Sequence, residues 1–169
     1  MDTTVKLQSL RYSDLRTYLF ALLFVAGNVI VPQLAHLAHM GGPTWLPIYF
    51  FTLVGAYLYG WRVGLLTAIV SPIVNHIFFG MPGAAAMPAI LLKSSILAVA
   101  AGYAATRAGG VKLLAFVAVV AAYQLLGTLG EWAMLGDLRV AAQDLLIGWP
   151  GMLVQIVGGY TIAKAVSNQ

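Results

Sequence analysis

The stretch Thr44-Trp-Leu-Pro-Ile-Tyr-Phe-Phe-Thr-Leu-Val-Gly-Ala-Tyr-Leu-Tyr-Gly-Trp-Arg-Val-Gly-Leu-Leu-Thr-Ala-Ile-Val-Ser-Pro-Ile-Val-Asn-His-Ile-Phe-Phe-Gly80 contains two long apolar runs and one fixed charge, Arg62. Each run is long enough, or nearly so, to cross a hydrocarbon layer as a helix. Gly60-Trp-Arg-Val-Gly64 between them is a short turn, with Arg62 to hold it at the headgroups and a Gly-x-x-x-Gly spacing that lets helices approach closely. Outward from this pair the pattern repeats, giving six apolar stretches near 17–40, 44–60, 63–80, 88–106, 113–135 and 145–166. The fold class expected is all-α: an integral membrane protein built as one compact bundle of six transmembrane helices spanning residues 1–169 as a single domain.

Composition agrees with this reading. With 61% hydrophobic and 8% charged residues and a mean hydropathy of +0.89, the chain has too little polar surface to solvate a globule of its size. Six spans leave no room for a soluble nucleotide-binding domain. Lys6, Arg11, Arg16, Arg62, Arg107, Lys112 and Lys164 fall on one side of the six-span arrangement, Arg139 alone falls in a loop on the other, and Lys93 lies within a span. The bias of Lys and Arg toward cytoplasmic loops therefore predicts both termini inside. The net charge of +4 is spread singly over these loops and forms no patch for nucleic acid. Residues 1–16 are cytoplasmic in this topology, and 5–16 read either as an interfacial helix or as a frayed tail. Pro32 is expected to kink or end the first helix.

Polar side chains inside a bilayer are costly, so their positions carry the functional information. Asn28, Pro32, His36 and His39 fall within about 80° of one another on the first helix. Thr67, Ser71, Asn75 and His76 form a row on the third. Gln124, Thr128 and Glu131 share a face about 60° wide on the fifth, and Gly148, Gly151 and Gln155 line the start of the sixth. At 1.5 Å per residue, Lys93, Glu131, Asn75 and His76 all lie roughly 6–8 Å below the outer surface. The inner halves contain almost nothing comparable. A pore needs lining at both depths, whereas a pocket closed at its base needs polar groups only near its mouth, so an outward-open binding pocket is expected.

The candidate substrate-binding residues are Asn28, His36, Trp45, Asn75, His76, Lys93, Gln124, Glu131, Trp132, Trp149 and Gln155. Trp45, Tyr49, Trp132 and Trp149 sit at the rim, where they either stack on a flat ligand or serve as belt residues at the headgroups. Lys93 either pairs with Glu131 or, if Glu131 turns away, clamps an anionic group. His36, His39 and His76 lack the spacing of a helical metal site and are read as hydrogen-bonded histidines, so neither a metal nor a cofactor is expected. No GxSxG, HExxH or Walker motif is present, and Glu131 is the only carboxylate in a span, so no catalytic residue is assigned and the chain is not read as an enzyme.

The layout resembles the S components of energy-coupling-factor vitamin transporters. The local likeness is carried by Gly42-Pro-Thr-Trp-Leu-Pro-Ile-Tyr-Phe-Phe-Thr-Leu-Val-Gly-Ala-Tyr-Leu-Tyr-Gly-Trp-Arg-Val-Gly64, similar to that family's outer loop, proline, apolar helix and glycine turn, and by Trp149-Pro-Gly-Met-Leu-Val-Gln155 at the start of the last helix. The resemblance implies a bacterial or archaeal cytoplasmic membrane and capture of a vitamin-like small molecule from outside. It also implies ATP-driven uptake with a coupling membrane subunit and two cytoplasmic ATPases, and contacts to substrate from Trp45, Asn75, His76, Lys93, Glu131, Trp132, Trp149 and Gln155. Members that share a coupling subunit show Ala-x-x-x-Ala on the first helix, whereas Ala21 and Ala26 here are five apart, leaving a shared, dedicated or absent energising module open. Two other classes fit a small polytopic chain: a membrane scaffold of the MreD type, and a small channel or solitary transporter.

Overall fold

The computed structural model describes residues 9–37 and 42–167, so His39 and the segment through residue 8, with Lys6, lie outside the described residues. Within them the chain is helical throughout: α1 (Leu15–Leu37), α2 (Gly42–Trp45), a 3₁₀ turn (Pro47–Tyr49), α3 (Phe50–Tyr59), α4 (Trp61–Phe79), α5 (Met87–Ala108), α6 (Leu113–Leu135), α7 (Leu138–Ala141), α8 (Gln143–Ile147) and α9 (Trp149–Ser167). Four of these, α1, α4, α5 and α6, are long and apolar enough to cross a membrane, the make-up of a multi-pass membrane protein. α9 has 19 residues, but Gln155, Tyr160, Thr161 and Lys164 dilute its hydropathy. The described part of the N-terminal segment forms turns rather than an interfacial helix, with Leu10 buried and its N–H donated to the Tyr59 carbonyl at 3.1 Å.

The run expected as one helix over 44–60 is broken. Leu46 takes a left-handed conformation, φ 46°, between α2 and the 3₁₀ turn. The physical reason is Pro47, which disfavours a helical conformation for the residue before it and has no N–H to donate. Three residues of 3₁₀ turn and ten of α-helix reach about 20 Å, against the ~30 Å of a hydrocarbon core. α3 is the hub of the bundle, packed against α1, α4, α5 and α9, and every residue from Thr52 to Leu58 is buried.

Close packing around this hub depends on missing side chains. A Cβ at Gly102 of α5 would lie 2.6 Å from the Trp61 backbone nitrogen. One at Gly151 of α9 would lie 2.5 Å from the Trp45 carbonyl carbon and 3.0 Å from the Leu46 nitrogen, so α9 rests directly on the break. Leu53, Tyr57, Leu97, Ala98, Ala101 and Phe116 fill the core around α3, and the Tyr57 and Phe116 rings stack at 4.4 Å.

α1 runs through Pro32 instead of ending there. Proline at 32 cannot donate to the carbonyl four residues earlier, that of Asn28, and the Asn75 Nδ2 of α4 donates to that oxygen at 3.0 Å. The freed acceptor is thus satisfied from a neighbouring helix and α1 continues.

Arg62, Arg107, Lys112 and Lys164 gather at one end of the bundle, whereas Lys93 and Arg139 lie toward the other. Tyr57 Oη donates to the Gly110 carbonyl at 2.8 Å, Arg62 lies over the rings of Tyr12 and Trp61, and Lys164 is in the last turn of α9. Replacing Gly151 by Val is expected to force α9 off the Leu46 break and lower stability by about 1–3 kcal/mol. Thermal unfolding in detergent checks this, with Gly110→Ala, where a Cβ meets open space, expected to change little.

Candidate functional site

Because α3 stops short, the bundle is hollow at the end opposite the basic residues. A cavity of about 630 Å³ occupies this space. Its floor is Leu46–Tyr49, and its walls come from Pro32, Gln33, Ala35 and His36 of α1, Asn75 of α4, Ala89, Ile90 and Lys93 of α5, and Glu131 and Leu135 of α6. The 81–86 loop and the α7–α8 segment, through Val140, Gln143 and Asp144, complete it. His36, Met81, Gly83, Ala85, Val140 and Gln143 are exposed, so the rim reaches the surface.

The cavity floor is backbone that begins a helix inside an apolar layer, where the first N–H groups have no intrahelical acceptor. Buried side chains supply what is missing. Asn28 Oδ1 accepts the Phe51 N–H at 3.1 Å, while its Nδ2 donates to Thr52 Oγ1 at 3.0 Å and approaches Ser71 Oγ at 3.3 Å. On the opposite side Gln124 Nε2 donates to Tyr123 Oη at 3.1 Å, which donates to Gln155 Oε1 at 2.9 Å, and Gln155 Nε2 reaches the Leu46 carbonyl at 3.5 Å. These amides tie α1, α3 and α4, and α6 and α9, to the break.

At the other wall a lysine is buried among carboxylates. Lys93 is 2% exposed, and its ammonium lies 2.5 Å from Glu131 Oε2 and 2.8 Å from Asp144 Oδ2. The Asp144 contact is an aligned hydrogen bond, and the Glu131 contact is a charge pair. Gly127 makes room for the lysine stem, since a Cβ there would lie 2.5 Å from Lys93 Cγ. Glu131 follows one turn later on the same face of α6 and meets the ammonium. Both ion pairs among the described residues therefore share one cation.

Of the eleven candidate residues, His36, Asn75, Lys93 and Glu131 line the cavity together. Asn28, Gln124 and Gln155 do not. They are fully buried beneath or beside it: Asn28 and Gln155 are spent on hydrogen bonds between helices, and Gln124 donates to its neighbour Tyr123 on α6, whose hydroxyl carries the link to Gln155 of α9. His76 also lies off the lining, its Nδ1 2.7 Å from the Pro82 carbonyl, where it anchors the 81–86 loop. Trp45, Trp132 and Trp149 are 36%, 45% and 59% exposed and outside the lining, so no aromatic clamp is formed from them. Lys93 is not a free anion clamp, because Glu131 turns toward it.

Three residues join the site that helix periodicity had not singled out. Gln33 lies on the α1 wall and donates to Asn75 Oδ1 at 3.1 Å. Tyr49, expected at the rim, is 2% exposed in the floor. Asp144 belongs to a loop stretch that folds back as α8, and the available signal was a second carboxylate near a buried lysine's level. Asp137 instead caps α7, accepting from the Arg139 and Val140 N–H groups at 2.8 and 3.3 Å. Among the described residues no three His, Cys, Asp or Glu side chains cluster to hold a metal ion.

Compared with protein-family models, curated protein sequences and solved structures, the chain matches none of them.

Lys93→Met is expected to leave two facing carboxylates without their cation and to cost about 3–5 kcal/mol of stability. Adding Glu131→Gln and Asp144→Asn to it is expected to restore most of that loss, as read from thermal midpoints of the purified protein. Asn28→Ala is expected to orphan the Phe51 N–H and cost about 1–3 kcal/mol, with the cavity lining unchanged.

Proposed function

We propose that this protein is the substrate-capturing membrane subunit of an uptake system, holding a vitamin-like small molecule in its cavity and depending on partner subunits for energy. The supporting observation is the position of the cavity. It lies at the end of the bundle away from Arg62, Arg107, Lys112 and Lys164, over a floor of packed apolar side chains. With the basic end cytoplasmic, as the bias of Lys and Arg in short loops favours, the cavity faces outward and collects its ligand from outside the cell. α9 and the shorter α3 then complete six crossings, with both ends inside.

The size and character of the cavity fit this role. Sites for small molecules are typically about 300–1,000 Å³, mainly apolar, with a few fixed polar groups that set orientation. Here the apolar surface comes from Leu46, Pro47, Ile48, Ile90 and Leu135, and the polar groups stand at two places, Lys93 with its carboxylates and Asn75 with Gln33. The resemblance to S components of energy-coupling-factor transporters, drawn from the sequence, points to the same class. The chain has no nucleotide-binding motif, so ATP hydrolysis in this reading belongs to two cytoplasmic ATPases acting through a coupling subunit.

A channel is less well supported, because Leu53, Tyr57, Leu97 and Phe116 fill the bundle below the floor. Thermal-shift and binding measurements on detergent-solubilised protein against a panel of vitamins test the proposal. One member is expected to raise the unfolding temperature and to bind one per chain. Ala89→Phe, which fills the cavity from α5, is expected to weaken that binding about tenfold or more, whereas Trp132→Ala is expected to leave it unchanged. A blank panel, or ion flux through liposomes containing this chain alone, would overturn the reading.

A further inference from the structure

We infer that the molecule held in this cavity carries a positive charge, as an amine or another protonated nitrogen, placed beside Glu131 and Asp144. This rests on the cavity being a receptor site, and it names the chemical class that the site takes.

The argument is the charge balance at the wall. Lys93 contributes one positive charge, and Glu131 and Asp144 contribute two negative ones. Each carboxylate engages the ammonium through one oxygen. Among the described residues, neither Glu131 Oε1 nor Asp144 Oδ1 accepts a hydrogen bond from a side chain or backbone N–H. The other basic side chain on this end of the bundle, Arg139, is exposed and outside the lining. His36 belongs to the α1 wall, not to this cluster. The cavity as built thus holds an excess carboxylate on a wall that is mainly apolar. Such a charge draws a cation.

An anionic ligand meets the reverse situation. To reach Lys93 it must displace one carboxylate and then stand close to both, and like charges at that separation repel strongly where the dielectric is low. A bare metal ion is a poor fit as well, because it needs several oxygen or nitrogen ligands at short range, and no such cluster of three exists among the described residues. An organic cation satisfies both features together. Its nitrogen meets the free carboxylate oxygens, and its carbon body meets Leu46, Ile48, Ile90 and Leu135.

The test uses three probes with one ring system and different charge, tryptamine, tryptophol and indole-3-acetate, in equilibrium dialysis against the full chain in detergent, with protein-free micelles subtracted. Tryptamine is expected to bind one per chain, about tenfold tighter than tryptophol, with indole-3-acetate weakest. Glu131→Gln and Asp144→Asn each leave Lys93 one partner, so both are expected to fold, and each is expected to bring tryptamine down to the affinity of tryptophol. Lys93→Met combined with Asp144→Asn keeps one net carboxylate and is expected to keep the preference for the amine. Equal binding of the three probes, a preference for indole-3-acetate, or no binding of tryptamine overturns the charge assignment. The receptor reading stands or falls separately on the vitamin panel, where stabilisation by an anionic or neutral member would retain it while excluding the cation.

Discussion

The structure turns on a helix that is too short for its place. α3 is enclosed by four other helices, yet even with the 3₁₀ turn before it the segment reaches only about two-thirds of the thickness of a hydrocarbon layer. A chain break at that depth is tolerated only where protein, rather than lipid, surrounds it and meets its backbone groups. That requirement accounts for residues on three different elements. Asn28 takes the Phe51 N–H, Gln155 reaches the Leu46 carbonyl, and Gly151 lets α9 press against the break without a side chain in between. Leu46 with a positive φ is sparsely populated backbone for a residue with a branched side chain, at a cost of order 1–3 kcal/mol that its 4% exposure helps to offset. The cavity follows from the same break, since it is the volume that a full-length α3 would have filled.

The second constraint is the buried lysine. An ammonium at 2% exposure survives in an apolar bundle only if carboxylates attend it, and a pair of that kind contributes little net stability while being expensive to break. Its presence is therefore poorly explained by stability alone. Gly127 admits its stem, Glu131 meets it from α6, and Asp144 arrives from the short α8 beyond the membrane helices. Asp144 thus fixes the α7–α8 segment against the cavity wall, so the ion cluster is at once part of the site and the fastening of the segment beside it.

Much of this was legible in the sequence, and the remainder was hidden for identifiable reasons. The apolar runs, the glycines that end α4, α5 and α6, and the one-sided basic residues follow from composition and spacing. Lys93, Glu131 and Asn75 were found because depth along a helix can be counted from its end. Depth does not give direction in the assembled bundle, however, and Asn28, Gln124 and Gln155 lie at suitable levels while pointing into helix contacts. Pro47 is visible in the sequence, but a proline near the start of a helix is often tolerated, so it does not by itself announce the left-handed turn at Leu46, on which Gly151 of α9 rests. For Asp144 the sequence offered only a second carboxylate near the level of Lys93, because α7 and α8 fold back only in three dimensions. The tryptophans at the rim misled for the opposite reason, as an indole suits a lipid-facing belt as well as a ligand face.

The two ends of the bundle carry different kinds of work. At the basic end Leu53, Tyr57 and Phe116 are fully buried, and Leu10 and the Gly110 carbonyl are tied to the end of α3 by hydrogen bonds. At the cavity end the space is open and its polar groups are held by partners outside α3. A molecule seated on the Leu46–Tyr49 floor has the whole length of α3 beneath it, and to pass through the bundle it would have to part the amide networks of Asn28 and Gln155 that support the floor. Those bonds sit in surroundings where breaking them leaves buried donors and acceptors unpaired, which costs more than forming them gains. In the proposed uptake role, carrying the molecule to the basic side is therefore easier by moving the bundle as a unit than by opening it. The closed floor is what gives an external partner its task in that proposed role, to engage the bundle and supply the work.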